Sequence, residues 1–153
     1  MGKYGEGANY AKTTNPSSEN ILDPGTLGGK LRVIQDYAVI SAATTLKSTD
    51  YIQVGAVLPK GSQVVGVCIG YPNLAAAGGS DGYLKVGDEG DADRYITLVN
   101  TSSAGVTRIN TQTGMNYVVT GTTDNILRIS GSESAVCVNT SGTVKVTIMY
   151  VTE

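Results

Sequence analysis

From Lys30 onward the chain alternates short runs rich in Val, Ile, Thr and Tyr with clusters of Gly, Asn, Asp and Ser. Runs that recur every 8 to 12 residues or so, with turn residues between them, are the pattern of a β-sandwich. The pattern predicts strands over Leu31 to Ile40, Tyr51 to Val57, Gln63 to Gly70, Tyr83 to Val86 and Arg94 to Val99. Five more are predicted over Gly105 to Asn110, Asn116 to Thr120, Asn125 to Ser130, Ser134 to Asn139 and Thr143 to Val151. The last alternates most cleanly: Val144, Val146, Ile148 and Tyr150 share one face, so that face meets a core. In the third run Val65, Val67 and Ile69 oppose Val64, Gly66 and Cys68, with no charge on either face. Such a strand belongs at the centre of a sheet or is covered on both sides. Only Ser41 to Asp50 and Asn73 to Ala77 have room for a single helical turn. The expected fold is therefore all-β, a single β-sandwich or jelly-roll-like domain over residues 31–153.

Residues 1–30 follow neither a period of 2 nor one of 3.6 and are rich in Gly, Asn, Ser and Thr. They cannot hold a core of their own. Within them Ile21 and Leu22 precede the Pro24-Gly25 turn, and Leu27 follows it. This reads as an extended N-terminal arm that docks onto something else. Tyr4 and Tyr10 lie in that arm, and with no core to bury a ring they are expected to rest on another chain.

Composition narrows the chemistry. The 153 residues contain no His, no Trp and no Phe, and the nine aromatic residues are all Tyr. Without imidazole, His-based triads and His-containing zinc sites are excluded, as is the usual general base near neutral pH. A formal net charge of −2 offers no electrostatic footprint for direct nucleic-acid binding. No apolar run approaches the roughly 20 residues of a membrane helix, and the first residues hold no secretory signal, so assembly in a host cytoplasm is expected. Cys68 and Cys137 each sit in an apolar run and are expected to be buried, reduced thiols, with a bridge left open should their strands be adjacent.

The candidate sites are few. Gly28-Gly29-Lys30 and the stretch from Gly55 to Gly61 both lack the full spacing of a phosphate loop. Asp88, Glu89, Asp91 and Asp93 place four carboxylates within six positions, which suits a hard cation such as Ca²⁺ but departs from the EF-hand pattern. A solvated turn is the better reading, with neither metal nor cofactor expected. Asp93 and Arg94 are assigned a loop-stabilising role, because an Arg fork can grip a carboxylate through two hydrogen bonds. Glycoside hydrolysis would need aromatic platforms and a second acid on another element. Catalysis is not expected.

Three strings carry a resemblance. They are Asn20-Ile21-Leu22-Asp23-Pro24-Gly25-Thr26-Leu27-Gly28-Gly29-Lys30-Leu31-Arg32-Val33, then Leu58-Pro59-Lys60-Gly61, then Val86-Gly87-Asp88-Glu89-Gly90-Asp91-Ala92-Asp93-Arg94-Tyr95-Ile96. Spanning residues 20–96, they resemble the head decoration, or cement, proteins of tailed bacteriophages. The resemblance implies a β-sandwich or jelly roll, commonly a homotrimer, on the outer surface of the virion capsid. It would bind and bridge subunits of the major capsid protein through the arm residues Tyr4, Tyr10, Ile21, Leu22, Pro24 and Leu27. A reading from another class is a carbohydrate-binding β-sandwich, a head fibre or receptor-binding module for host glycans. The acidic loop and the tyrosines favour that reading, and the lack of Trp weakens it.

Overall fold

The structure, a computed structural model, describes residues 30–41, 45–46, 49–74, 82–131, 136–137 and 141–152. The arm, residues 1–29, lies outside that set. Among the described residues every regular element is a strand: β1 Lys30–Ile40, β2 Thr45–Leu46, β3 Tyr51–Val54, β4 Gln63–Tyr71, β5 Tyr83–Gly87 and β6 Ile96–Asn100. They continue with β7 Gly105–Arg108, β8 Tyr117–Val118, β9 Leu127–Gly131, β10 Val136–Cys137 and β11 Gly142–Thr152. The all-β sandwich expected from the pattern is thus the observed fold. One local expectation fails: Thr45–Leu46 forms a strand paired antiparallel with β10, where a helical turn had room. Thr45 is β-branched and suits that pairing. β3 also stops short of Val57, because Gly55 turns at φ +82°, a conformation that ends a ladder.

Two sheets make the sandwich. The larger runs β1-β11-β4-β7, with β8 also on β4, and the smaller runs β3-β9-β5-β6. β4 is an interior strand, as its uncharged faces predict. Its faces are not both covered, however: Val64, Val67 and Ile69 are buried, while Val65 is exposed. The cause is a β-bulge. β11 pairs Tyr150 with Val64 but Met149 with Gly66, so Val65 is an extra residue on β4. One inserted residue resets the alternation and brings Val64 and Val67, three apart, onto the same face. β6 repeats the device. Its pairing with β5 shifts between Leu84 and Val86, so Ile96 and Val99 are both buried with Thr97 and Leu98 exposed between them.

The core lies between the sheets. Val144, Val146 and Ile148 of β11 join Val64, Val67 and Ile69 of β4, and the smaller sheet supplies Val54, Leu84, Val86, Ile96, Leu127 and Ile129. Fully burying side chains of this size stabilises the fold by about 1.5–3 kcal/mol each before entropy is subtracted. Cys68 departs from expectation. It faces outward on β4, is only half-buried, and is a free thiol. β4 and β10 are not neighbours in any sheet, so the strand adjacency that a bridge to Cys137 required is absent.

Candidate functional site

Two surfaces carry distinct chemistry. The first is the acidic turn between β5 and β6. Its first carboxylate, Asp88, is buried, and Oδ1 accepts the backbone N–H groups of Gly90 and Asp91 at 2.9 Å each. Arg94 closes the turn on it, donating Nε to Oδ2 at 2.5 Å and Nη2 to Oδ1 at 3.2 Å. The Arg fork in the loop therefore grips Asp88, six residues back, and Asp93 takes no part in it. A Cβ on Gly87 would collide with the backbone of Asp91 and Ala92, so only glycine allows the chain to return this closely. Glu89 reaches across to Arg128 at 3.0 Å, and Asp91 Oδ1 accepts the Asp93 N–H at 3.3 Å. With Asp88 committed to four donors, the four carboxylates do not form a cation cage. Among the described residues no group of three or more metal-ligating side chains is present.

The network continues into the next loops. The Arg94 guanidinium lies 4.0 Å from the Tyr117 ring centroid, and the Arg94 carbonyl accepts hydrogen bonds from the hydroxyls of Thr111 and Thr113. Tyr117 in turn donates its hydroxyl to Asp124 Oδ2 at 2.7 Å. Asp124 also accepts the N–H groups of Thr120 at 2.7 Å and Gly121 at 2.9 Å. Burial alone would raise the Asp124 carboxyl. The donors from Thr120, Tyr117 and Gly121 overcome this and hold it well below the usual carboxylate range. Tyr95, fully buried, meets Tyr117 edge to face at 6.4 Å, and burial drives its phenol well above the ordinary value. Burial and the neighbouring Asp91 push Asp93 upward. No nucleophile paired with a base emerges from these contacts. They join the 87–95, 111–117 and 120–124 segments into one rigid polar knot.

The second surface is the outward face of the larger sheet. On β1, which among the described strands has β11 as its one neighbour, Ala38 and Ile40 point into the core while Leu31, Val33, Gln35, Tyr37 and Val39 point away. Leu31 is 58% exposed, Val33 55%, Tyr37 65% and Val39 59%. Beside them lie Lys145, Thr147 and Met149 on β11, Cys68 on β4, and Val106 and Arg108 on β7. Gly66 is compact for a reason, since a Cβ there would strike the Met149 methyl. Met149 thus lies flat across β4 and, with Cys68, Met115 and Arg108, lines an open depression of about 500 Å³. The outward positions of these strands hold two cations and no carboxylate.

Of the residues singled out in the sequence, Tyr4, Tyr10, Ile21, Leu22, Pro24 and Leu27 all lie outside the described residues. Arg94 stands in the polar knot, and Asp93 stands beside it. Sequence reasoning missed Tyr117 and Asp124, which are far along the chain, and the stripe on β1. The stripe was legible: Leu31, Val33, Tyr37 and Val39 recur at even spacing, but without the sheet order nothing says which face of β1 lacks cover.

No family model matches the chain, and no curated protein matches it. Solved structures do match it, among them two phage capsid chains. A chain of the cyanophage Pam1 capsid asymmetric unit is 27% identical, with a TM-score of 0.63 over 91% of this chain and 99% of that one. A chain of the capsid of Ralstonia phage GP4 shares the fold, with 17% identity and a TM-score of 0.51 over 80% of this chain and 85% of that one. The resemblance to phage capsid-associated proteins carried by the three strings is thus borne out by structure, and it supports a structural role in a virion.

Proposed function

We propose that the chain is a cement, or decoration, protein: it binds the outer surface of a phage capsid and bridges neighbouring major capsid subunits. The observation that carries this reading is the likeness to a whole chain of the Pam1 capsid asymmetric unit, nearly end to end in both proteins. The sandwich is the rigid body and residues 1–30 are the docking arm. Three protomers act together, without catalysis. A mature shell has joints between capsomers that internal pressure pulls apart. A ligand that binds only the closed geometry stabilises that geometry by linkage. Tying three protomers together raises effective concentration, and avidity can exceed single-site affinity by roughly 10² to 10⁴.

The arm is tested by deleting residues 1–19 and measuring retention on heads as temperature rises. The truncated chain should leave the heads at lower temperature than the full chain. Undiminished retention would contradict the arm's role.

A further inference from the structure

We propose that the outward stripe of β1, centred on Val33 and Tyr37, is the surface on which a second copy of this chain docks. The inference rests on the homotrimer reading above and deepens it by naming the contact. Four of the eleven exposed large hydrophobics among the described residues lie on this one face of this one strand. Other sheet edges are protected in ordinary ways: β3 and β7 have four residues each, and β6 has five with a bulge. β1 is longer, with eleven residues and no proline, and its charged residues Lys30, Arg32 and Asp36 alternate with the outward stripe.

The strand is also held still. Asp36, on its opposite side, accepts the N–H of Gly55, just past the end of β3, at 2.7 Å and the Tyr37 N–H at 2.8 Å. The exposed side chains are therefore presented on a fixed backbone, which lowers the entropy lost on docking.

Area and composition select the occupant. Three strands about 4.8 Å apart and roughly 36 Å long present roughly 500 Å² per copy, hence roughly 1,000 Å² in total, the lower limit for a specific interface. Between Leu31 and Val39 the outward positions hold no charge. Interfaces between copies of one chain are the more apolar class, whereas transient partners meet on surfaces of ordinary polarity. A closed three-membered ring is built from head-to-tail contacts, in which the stripe of one copy meets a different surface of the next.

The test is size-exclusion chromatography with light scattering on the full chain at micromolar concentration. The wild type should run at three times the 15.8 kDa chain mass. Val33→Lys with Tyr37→Lys should run as a monomer with an unchanged circular dichroism spectrum. Leu98→Lys, on the other sheet, should keep the wild-type mass. Should the double Lys variant fail to fold, Val33→Thr with Tyr37→Ser is read the same way. A double variant that keeps the wild-type mass overturns the inference, as does equal dissociation by Leu98→Lys. A double variant that stays trimeric yet no longer fills heads assigns the stripe to the capsid, overturning the inference and leaving the cement reading intact. A monomeric wild type that still occupies heads likewise overturns the contact alone.

Discussion

The polar knot around Arg94 and the apolar stripe on β1 are opposites in how they use their residues. In the knot, the charged side chains of Asp88, Arg94 and Asp124 are tied to partners within the molecule, so their chemistry is spent there. On β1 large apolar side chains face outward on a strand that is firmly fixed, so their chemistry is left for something else. A dense group of carboxylates invites a functional reading and here is architecture. A row of ordinary aliphatic residues invites none and here is the surface open to a partner.

Substitutions should separate the two regions, and the largest effect is expected in the knot. Arg94→Ala leaves the Asp88 carboxylate buried without its cation, a class of change that costs about 3–5 kcal/mol. Urea denaturation should show that loss, and a change under 1 kcal/mol would mean the knot is ornamental. Asp124→Asn removes the charge that three donors share and should cost about 2 kcal/mol.

The same carboxylate predicts a pH dependence. Its folded value is depressed, so its contribution is present above the unfolded value near pH 4 and is lost as pH falls toward the lower folded value. The wild type should therefore lose stability on acidification below about pH 4, and Asp124→Asn should give a flatter profile over that range. A parallel pair of profiles would place the acid sensitivity elsewhere.

Smallest in stability and largest in association is the change on the stripe. At dilutions where the wild type is dissociated too, Val33→Lys with Tyr37→Lys should shift unfolding by no more than about 1 kcal/mol, about 0.5 for each exposed position, while abolishing assembly at micromolar concentration. A loss comparable to that of Arg94→Ala would mean that β1 is covered within the protomer, and the contrast between the regions would vanish.

The sandwich was legible because its strands obey the period of two: Val144, Val146 and Ile148 are buried as their alternation demands. The bulges at Val65 and in β6 were not, since an inserted residue breaks that period and leaves no separate mark in the sequence. In the acidic turn, the Arg fork could be anticipated from local composition. Its choice of Asp88 over Asp93 could not, because that depends on how Gly87 lets the chain fold back. Tyr117 and Asp124 join the knot only through sheet topology, which juxtaposes residues that sequence distance separates. The stripe on β1 was visible as a pattern and silent as a surface until β1 proved to end the row of described strands in its sheet.

The most direct test of the cement reading is a heat ramp on heads prepared without this chain, with and without purified full-length protein added back. Added protein should occupy the outer shell and raise the temperature at which heads release DNA. An unchanged release temperature, or a reconstruction in which the added chain has no ordered density on the shell, would contradict it.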